Sequence, residues 1–197
     1  EQNKSHYLSE LNALIATTKF QYFIQNKPKG VANALLHAQP AILHDEYFAL
    51  CYPDDIIFGP NPEIGNLIKM AQEHKAMIIG VMEVPLEKIS AYGVIAPKKQ
   101  ITQDLFEIDY FVEKPTQQEA PSNLAGIGRF ILHSDLFSYI PQTKPNKDGE
   151  ILLPDTISLM ISHGYKVLAY KIQGQRFDTG TPSGWLDFVI KNSQEKL

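Results

Sequence analysis

The stretch FALCYPDD, residues 48–55, is an apolar run that ends in two adjacent aspartates. Its composition predicts a buried strand, with the carboxylates placed where that strand ends. A second stretch, FDTGTP at residues 177–182, places Asp178 directly after an apolar residue. In open α/β sheets the ligand-binding crevice lies at the carboxyl ends of the strands, and proteins hold Mg²⁺ with one or two carboxylates plus phosphate oxygens. Asp54 and Asp178 are therefore candidate ligands of one metal–phosphate centre.

A purely structural role is open for both aspartates. Aspartate is a common residue in turns and at the N-termini of helices, because its side chain accepts hydrogen bonds from nearby backbone N–H groups. Asp54 and Asp55 could therefore begin a turn, and Asp178 could cap the helix that follows it.

Strand-like and helix-like patterns alternate along the chain, which predicts an α/β fold. Residues 85–133 carry short strand-like stretches between polar loops, and we interpret them as a β-rich insertion on the sheet rather than as a separate domain. In the last helix we expect Trp185, Phe188 and Val189 to face inward. We predict helices near residues 8–15, 30–41, 61–71, 154–164 and 181–189, a helical turn after residue 134, and strands at 20–25, 48–52, 77–84 and 167–172.

Composition limits the class of protein. The chain has 197 residues, 44% of them hydrophobic and 20% charged, and its net charge is −4, as in an ordinary globular protein of one domain. Lysines and arginines are scattered, so we expect no nucleic-acid partner. Apolar runs such as residues 76–82 are too short to span a bilayer, so we expect no membrane association. The single cysteine, Cys51, excludes an internal disulfide and favours a reducing compartment, which predicts a cytoplasmic protein.

The tripeptide Glu113-Lys114-Pro115 follows a strand-like stretch and offers an acceptor beside a cation. A carboxylate can accept sugar hydroxyls while an ammonium meets a phosphate, a combination that suits a sugar phosphate. Proline disfavours the α conformation in the residue before it, so we expect Lys114 to be extended. The alternative is a solvated charge pair at the end of a strand.

Four further positions are candidates for ligand contacts. The amide of Gln25 can match the edge of a nucleobase, and Gly30 before a helix lets backbone approach a ligand closely. Gly93 lies inside a strand-like stretch, where either a ligand or a bulge explains a glycine. Glu150 could accept a sugar hydroxyl. The alternatives are an ordinary loop glycine at residue 30 and a simple acidic turn at 148–150.

Taken in order, these pieces resemble the bacterial UTP–glucose-1-phosphate uridylyltransferases, also called UDP-glucose pyrophosphorylases, from about residue 25 onward. The family resemblance implies a Rossmann-like nucleotidyltransferase sandwich with a mixed sheet. The matching segments are Gln25 with Gly30, YPDDII at 52–57, AYGV at 91–94, VEKP at 112–115, PSNLAGIGRFIL at 121–132, GEILLPD at 149–155 and DTG at 178–180.

The resemblance implies a role for each candidate residue and a reaction. The phosphate of glucose 1-phosphate would attack the α-phosphorus of UTP in line and release pyrophosphate, with Mg²⁺ as the cofactor and a homo-oligomer as the expected assembly. The implied roles are uracil contacts for Gln25 and Gly30, metal ligation for Asp54 and Asp178, glucose contacts for Gly93 and Glu113, the sugar phosphate for Lys114, and a less defined position in the site for Glu150.

The chain departs from the family pattern in three places. Nothing matches the Gly-x-Gly-Thr-Arg loop with which the family opens. Asn33 replaces the family's histidine in Gly-Leu-Gly-His-Ala, and Pro182 stands where a lysine commonly follows Asp-x-Gly. We interpret residues 1–197 as a single nucleotidyltransferase domain, the C-terminal portion of an enzyme whose first βα units are missing. We expect these residues alone to be inactive in efficient uridylyl transfer.

Three other functions stay open. The motif FDTGTP is closer to the glucose-1-phosphate thymidylyltransferases. The acidic pair Asp54-Asp55 after a strand is also compatible with a metal-dependent glycosyltransferase. A chain without the triphosphate loop could be a non-catalytic sugar-nucleotide-binding module.

Overall fold

The computed structural model describes residues 2–42, 47–59 and 61–194. Helices and strands together make up most of these residues, and the helices pack on a mixed sheet, so the predicted α/β fold is confirmed. The helices are α1 (Gln2–Thr17), α2 (Val31–Ile42), α3 (Glu63–His74), α4 (Leu136–Tyr139), α5 (Leu153–Ser162) and α6 (Pro182–Gln194), with 3₁₀ turns at Leu86–Ala91 and Ile140–Gln142. The strands are β1 (Tyr47–Cys51), β2 (Asp55–Phe58), β3 (Met77–Glu83), β4 (Gly93–Gln100), β5 (Leu105–Glu113), β6 (Leu124–His133), β7 (Val167–Lys171) and β8 (Gln175–Asp178).

Six strands form one mixed sheet in the order β1-β6-β3-β7-β5-β4. β3 and β7 are parallel, and the other neighbours are antiparallel. A further pairing of Val94 with Ala125 joins β4 to β6. The β-rich region 85–133 thus supplies three strands of the main sheet. The two remaining strands, β2 and β8, form a separate antiparallel ribbon.

Both faces of the main sheet are buried. On one face, Met77, Ile79 and Val81 of β3 belong to the large core that also includes side chains of α2, α4 and α5. On the other face, Ile78 packs with Leu67 of α3. Burial on both sides explains why β3 is a continuous apolar run instead of an alternating one.

Two predictions about apolar segments were wrong. Residues 20–25 form no strand, and Phe20 and Tyr22 are 58% and 86% exposed. A strand needs a neighbour to accept its backbone hydrogen bonds, and no described strand pairs with this segment. In α6, Phe188 does pack against Phe58 and Phe177, but Trp185 is 55% exposed and Val189 is also exposed.

Helix α1 has the predicted helical spacing of apolar residues, but Leu8, Leu11 and Leu14 are all exposed. Among the residues that the structure describes, no helix is both long enough and apolar enough to cross a membrane.

The ribbon is tied to the rest of the fold by a buried carboxylate at the start of α3. Glu63 is 5% exposed, and its Oε1 accepts backbone N–H groups of Gln173 and Gly174 at 2.8 and 2.7 Å. Its Oε2 accepts the Asn66 amide at 3.1 Å. The loop that leads into β8 is therefore fixed by one side chain from a distant part of the chain.

Replacing Glu63 with alanine should leave two backbone N–H groups without an acceptor and lower the free energy of unfolding by about 2–4 kcal/mol. Glu63→Gln keeps one oxygen for both donors and should cost roughly 1 kcal/mol. Urea unfolding measures both values. Glu73→Ala, on the exposed surface of the same helix, is the matched control and should change stability by no more than about 0.5 kcal/mol. Equal losses for Glu63→Ala and Glu73→Ala would contradict the anchoring role.

Candidate active site

The β2–β8 ribbon brings together two acidic motifs that are distant in sequence. Asp55 of β2 lies opposite Asp178 of β8 in the antiparallel register. Beyond the last pair, Thr179 donates twice to the carbonyl oxygen of Asp54, from its backbone N–H at 2.8 Å and from its Oγ1 at 2.9 Å. The backbone of residue 54 is thus held beside the turn that follows Asp178.

The carboxylates of Asp54 and Asp178 line one small space. A Cβ atom built on Gly180 would lie 2.8 Å from Asp54 Oδ2 and 3.3 Å from Asp178 Oδ1. The two oxygens are therefore no farther apart than these two distances together. A side chain at residue 180 would crowd both carboxylates, so the glycine leaves room beside them.

Asp178 is not the cap of helix α6. The cap is Thr181, whose Oγ1 accepts the Gly184 N–H at 3.1 Å. Asp178 Oδ1 accepts the Gly180 N–H at 3.2 Å, a local turn contact that leaves Oδ2 for other partners. Asp178 therefore does not cap the helix, but its side chain does take part in a turn.

A buried ion pair supports this end of the site. Asp55 is 3% exposed; its Oδ2 accepts the Gly128 N–H at 2.6 Å, and its Oδ1 accepts Arg176 Nε at 2.5 Å. Arg176 also reaches Asp178 Oδ2 at 3.3 Å, and its guanidinium lies 5.5 Å from the centre of the Tyr92 ring. One arginine thus fixes a buried carboxylate and a candidate metal ligand together.

A divalent cation fits the chemistry of Asp54 and Asp178. Both are hard oxygen donors, and one oxygen of each lies within 3.3 Å of the position that a Cβ on Gly180 would take. No group of three or more His, Cys, Asp or Glu side chains suited to a metal occurs among residues 2–42, 47–59 and 61–194. A cation held by two carboxylates would therefore need further ligands, and phosphate oxygens or water supply them in typical Mg²⁺ sites.

Glu113 and Lys114 form the second charged pair. Lys114 Nζ lies 3.8 Å from Glu113 Oε1 and its side chain is 62% exposed. The predicted extended conformation of Lys114 was wrong, because its φ is +45°. Strand β5 ends at Glu113, opposite Gly93, and the Lys114 N–H turns to bond the Tyr92 carbonyl at 3.0 Å. A left-handed lysine before a proline costs about 1 kcal/mol, which this turn must offset.

The two charged pairs open into the same cleft, which has a volume of about 350 Å³. Five of the eight predicted site residues line it: Asp54, Gly93, Glu113, Lys114 and Asp178. Aromatic and apolar walls come from Val31, Tyr52, Tyr92, Phe111, Phe130 and Leu152–Pro154, and Asp55 and Arg176 lie beside the aspartates.

The sequence of the chain matches the Nucleotidyl transferase family over residues 1–195. The chain belongs to the nucleotidyl transferase family.

Individual members of the family are similar to this chain over most of its length. The chain is 38% identical over 187 residues to a UTP–glucose-1-phosphate uridylyltransferase of Pseudomonas aeruginosa, covering 94% of this chain and 66% of that one. It is 36% identical over 180 residues to UTP–glucose-1-phosphate uridylyltransferase 2 of Streptococcus pyogenes, covering 87% of this chain and 60% of the relative. The nucleotidyl transferase chain thus spans about two thirds or less of the length of these relatives.

Solved structures share the fold. A crystal structure of UDP-glucose pyrophosphorylase complexed with UDP-glucose superposes with a TM-score of 0.92 at 32% identity, covering 98% of this chain and 73% of that chain. A UTP-bound enzyme from Acinetobacter baumannii gives a TM-score of 0.79 at 27% identity and covers 98% and 68%. The resemblance predicted from the sequence and the predicted fold class are therefore confirmed.

Gln25 and Gly30 lie near the cleft of this nucleotidyl transferase but do not line it. Gln25 Nε2 donates to Asn33 Oδ1 at 2.8 Å and to the Gly30 carbonyl at 3.3 Å. Gly30 has a φ of +86°, and a Cβ there would lie 2.4 Å from the Ile151 carbonyl oxygen. Close packing against the chain at residue 151 therefore already explains this glycine.

Glu150 precedes that contact and is half-buried. Its N–H bonds Asn146 Oδ1 at 2.9 Å, which closes an acidic turn. Its charge still reaches the site, because it is one of the groups that raise the pKa of Glu113.

The sequence analysis did not identify some of the residues that line the cleft. Arg176 stands two residues before Asp178, and alternation along a strand places both side chains on one face. That spacing was available as a signal. The Tyr92 ring and the Phe111 ring gave no comparable signal, since single aromatic residues in strands are most often core residues.

The ionisation of Glu113 depends on its surroundings. Burial raises its pKa, Lys114 opposes this by charge and hydrogen bonding, and Asp155 and Glu150 add to the rise. In the folded state Glu113 thus holds its proton more tightly than in the unfolded chain. Its ionisation therefore lowers stability as the pH rises through the interval between the ordinary and the raised pKa.

Lys114→Met should raise the pKa of Glu113 further, because it removes the cation that favours the charged carboxylate. Carboxyl NMR titration, assigned with Glu113→Gln, measures the change. Lys98→Met removes a lysine that pairs with Glu107 instead, and should leave the Glu113 pKa unchanged. A Glu113 pKa that stays the same or falls in Lys114→Met would show that the two side chains do not interact in solution.

Proposed function

We propose that this protein carries out uridylyl transfer, forming UDP-glucose and pyrophosphate from UTP and glucose 1-phosphate with Mg²⁺. The observation that supports the proposal is that the same cleft is lined by the pair Asp54 and Asp178 and by the pair Glu113 and Lys114. The first pair suits a metal-bound polyphosphate and the second suits a sugar phosphate. The names of the relatives point to the same substrates.

The reaction needs positioning and charge neutralisation rather than a covalent nucleophile. A phosphate oxygen of glucose 1-phosphate forms a bond to the α-phosphorus of UTP, and the bond from that phosphorus to the bridging oxygen of pyrophosphate breaks. Lys114, whose ammonium is largely exposed to the cleft, would orient the attacking phosphate. The ionised carboxylate of Glu113 would accept hydroxyl hydrogen bonds from the sugar.

Asp54 and Asp178 would hold Mg²⁺, and Arg176 would keep Asp178 in place through its contact with Oδ2. When bound, the ion supplies positive charge beside the phosphates of the nucleotide. The protein contributes the fixed spacing of the two carboxylates, which Gly180 and Thr179 maintain.

At the base end, Gln25 would contact the pyrimidine. Its Nε2 is already engaged by Asn33 and Gly30, so Oε1 is the atom left to accept a hydrogen bond. An imide N–H of uracil or thymine is a matching donor, whereas cytosine has none at that position. The backbone near Gly30 would approach the base, and Glu150 would lie close to the sugar.

We further propose a homo-oligomer that works in the cytoplasm. Exposed apolar residues on α1 and at 20–24 offer surface for self-association. The unpaired Cys51 is compatible with a reducing compartment.

The direct test is to assay the full natural chain for UDP-glucose formation from UTP, glucose 1-phosphate and Mg²⁺, and for UTP formation from UDP-glucose and pyrophosphate. Turnover in both directions supports the proposal. Faster turnover with dTTP than with UTP would favour a thymidylyltransferase. Glucose transfer to an acceptor without pyrophosphate-dependent UTP formation would indicate a glycosyltransferase, and nucleotide-sugar binding without turnover would indicate a binding module.

In the same assay, Lys114→Met should lower kcat/KM for glucose 1-phosphate by about a hundred- to a thousandfold, the usual effect of losing one charge-stabilising donor. The dissociation constant for UTP should change little, since the methionine removes only the ammonium. Lys69→Met, an exposed lysine on α3, is the control and should behave like wild type. Unchanged kinetics for the sugar phosphate in Lys114→Met would restore the interpretation of a solvated charge pair.

A further inference from the structure

Tyr52 lies between strand β1 and the acidic motif of the cleft. It follows β1 directly and precedes Asp54 by two positions, and its side chain lines the cleft. Its backbone is held by two hydrogen bonds, because its N–H donates to the Gly128 carbonyl at 2.8 Å and its own carbonyl accepts Arg129 Nη1 at 3.0 Å. Both partners belong to β6, so the main sheet sets the position of this residue.

The side chain of Tyr52 is positioned as well as its backbone. A Cβ built on Gly128 would lie 2.6 Å from Tyr52 Cγ, so the glycine leaves the room in which the base of the ring lies. The ring packs against Phe130, with the two ring centres 5.7 Å apart and the ring planes at 47°. Because Phe130 is only 3% exposed, the tyrosine ring has the buried core on one side. Packing around the ring therefore determines where its hydroxyl lies.

The Tyr52 hydroxyl has no hydrogen-bond partner among the residues that the structure describes. In the same part of the chain, every side-chain nitrogen or oxygen that is sealed from the surface does have a partner. The hydroxyl oxygen is therefore not sealed, although the residue as a whole is half-buried. Since the side chain lines the cleft, the open space that the hydroxyl reaches is the cleft.

This hydroxyl is a neutral donor among negative charges. Burial raises the pKa of Tyr52, and the charges of Glu113, Asp55 and Asp54 raise it further, so the phenol keeps its proton at neutral pH. Asp54 belongs to one charged pair of the cleft and Glu113 to the other, so the phenol is close enough to both pairs to be affected by their charges. Ionised carboxylates only accept hydrogen bonds, and Tyr52 adds a donor beside them.

The surroundings of the hydroxyl favour a phosphate as the group that it binds. In a nucleotide sugar the phosphates join the nucleotide to the sugar, so they would lie beside both a metal held by Asp54 and Asp178 and a hexose held by Glu113. A phosphate oxygen is an anionic acceptor, and hydrogen bonds to ionised acceptors are among the stronger ones in proteins. A phenol that keeps its proton can meet that acceptor without adding negative charge.

On the basis of the proposed function, we propose that Tyr52 is a further substrate-binding residue, whose hydroxyl donates a hydrogen bond to a phosphate oxygen of the nucleotide sugar. The contact acts on the phosphates and on neither the base nor the hexose. Its loss should therefore weaken every ligand that carries the diphosphate and spare a nucleoside that lacks it.

The experiment compares the binding of UDP-glucose, UDP and uridine to the full natural chain and to its Tyr52→Phe variant. Calorimetry gives the affinities for the two nucleotides, and competition against UDP gives the affinity for uridine. Tyr52→Phe removes only the hydroxyl and keeps the ring against Phe130. It should weaken UDP-glucose and UDP by the same factor, roughly ten- to a hundredfold, the range expected for one hydrogen bond to a charged group. The affinity for uridine should stay unchanged.

Tyr110→Phe is the matched control. Tyr110 lies on β5, is 42% exposed and is not among the residues that line the cleft, so losing its hydroxyl should leave all three affinities unchanged. Thermal unfolding of both variants separates a loss of affinity from a loss of fold. A second measurement on the wild type does not depend on the stability of a variant. With ¹³C at the tyrosine Cζ atoms, UDP should shift the Tyr52 signal and uridine should not.

Weakening of UDP-glucose alone would place the Tyr52 hydroxyl at the sugar and overturn the phosphate contact. Equal weakening of all three ligands would assign the tyrosine a purely structural role, and unchanged affinities would overturn the contact as well. A wild type that binds UDP but forms no UTP from UDP-glucose and pyrophosphate would overturn the proposed function alone, because the comparison of UDP with uridine still decides the role of Tyr52. A wild type that binds neither UDP nor UDP-glucose would overturn both.

Discussion

The pairing of β2 with β8 is the constraint on which the candidate site depends. The two strands are separated by more than a hundred residues, and their register places Asp55 opposite Asp178. The buried Asp55–Arg176 ion pair fixes that register, because a misaligned ribbon would leave a charged carboxylate buried without its partner. Thr179 adds two hydrogen bonds to the carbonyl oxygen of Asp54. The carboxylates of Asp54 and Asp178 thus converge as a consequence of strand pairing.

The main sheet supplies the other half of the site. β4 begins and β5 ends at the pair Gly93 and Glu113, and Lys114 follows directly after this last pair. Burial of Glu113 opposes its ionisation while Lys114 favours it. The charge of Glu113 therefore depends both on its burial and on the charge at residue 114. The part of the cleft lined by Asp54 and Asp178 is organised differently, since Arg176 contacts the Asp178 carboxylate there.

Much of this arrangement was predictable from the sequence because it depends on local patterns. Asp54, Asp178 and Glu113 follow apolar runs, and strand ends in an α/β sheet meet at a common edge. Asp54 and Asp178 do converge, and the mixed sheet and most of its elements were predicted. What could not be predicted depends on long-range partners. Residues 20–25 have the composition of a strand, but no described strand pairs with them. In α6, Phe188 contacts the ribbon while Trp185 is exposed.

The conformation of Lys114 and the role of Arg176 show the same limit. The preference of a residue before proline is weak compared with the hydrogen bond that Lys114 makes to Tyr92, a partner fixed only by the pairing of β4 with β5. Arg176 becomes a site residue through Asp55, which lies 121 positions away. Similarly, the glycines at 93 and 126 have an evident reason only once the Phe111 ring is placed beside both, because a Cβ at either position would crowd that ring.

The central claim is that Asp54 and Asp178 share one cation, and Mn²⁺ binding measured by electron paramagnetic resonance in the presence of UTP tests it most directly. The full natural chain should bind one Mn²⁺ that both Asp54→Asn and Asp178→Asn weaken strongly, and the double variant should bind little more weakly than the worse single variant. Asp148→Asn, in the turn before Glu150, should leave binding unchanged. Independent, additive losses, or a variant at either position that binds Mn²⁺ like wild type, would contradict the shared site.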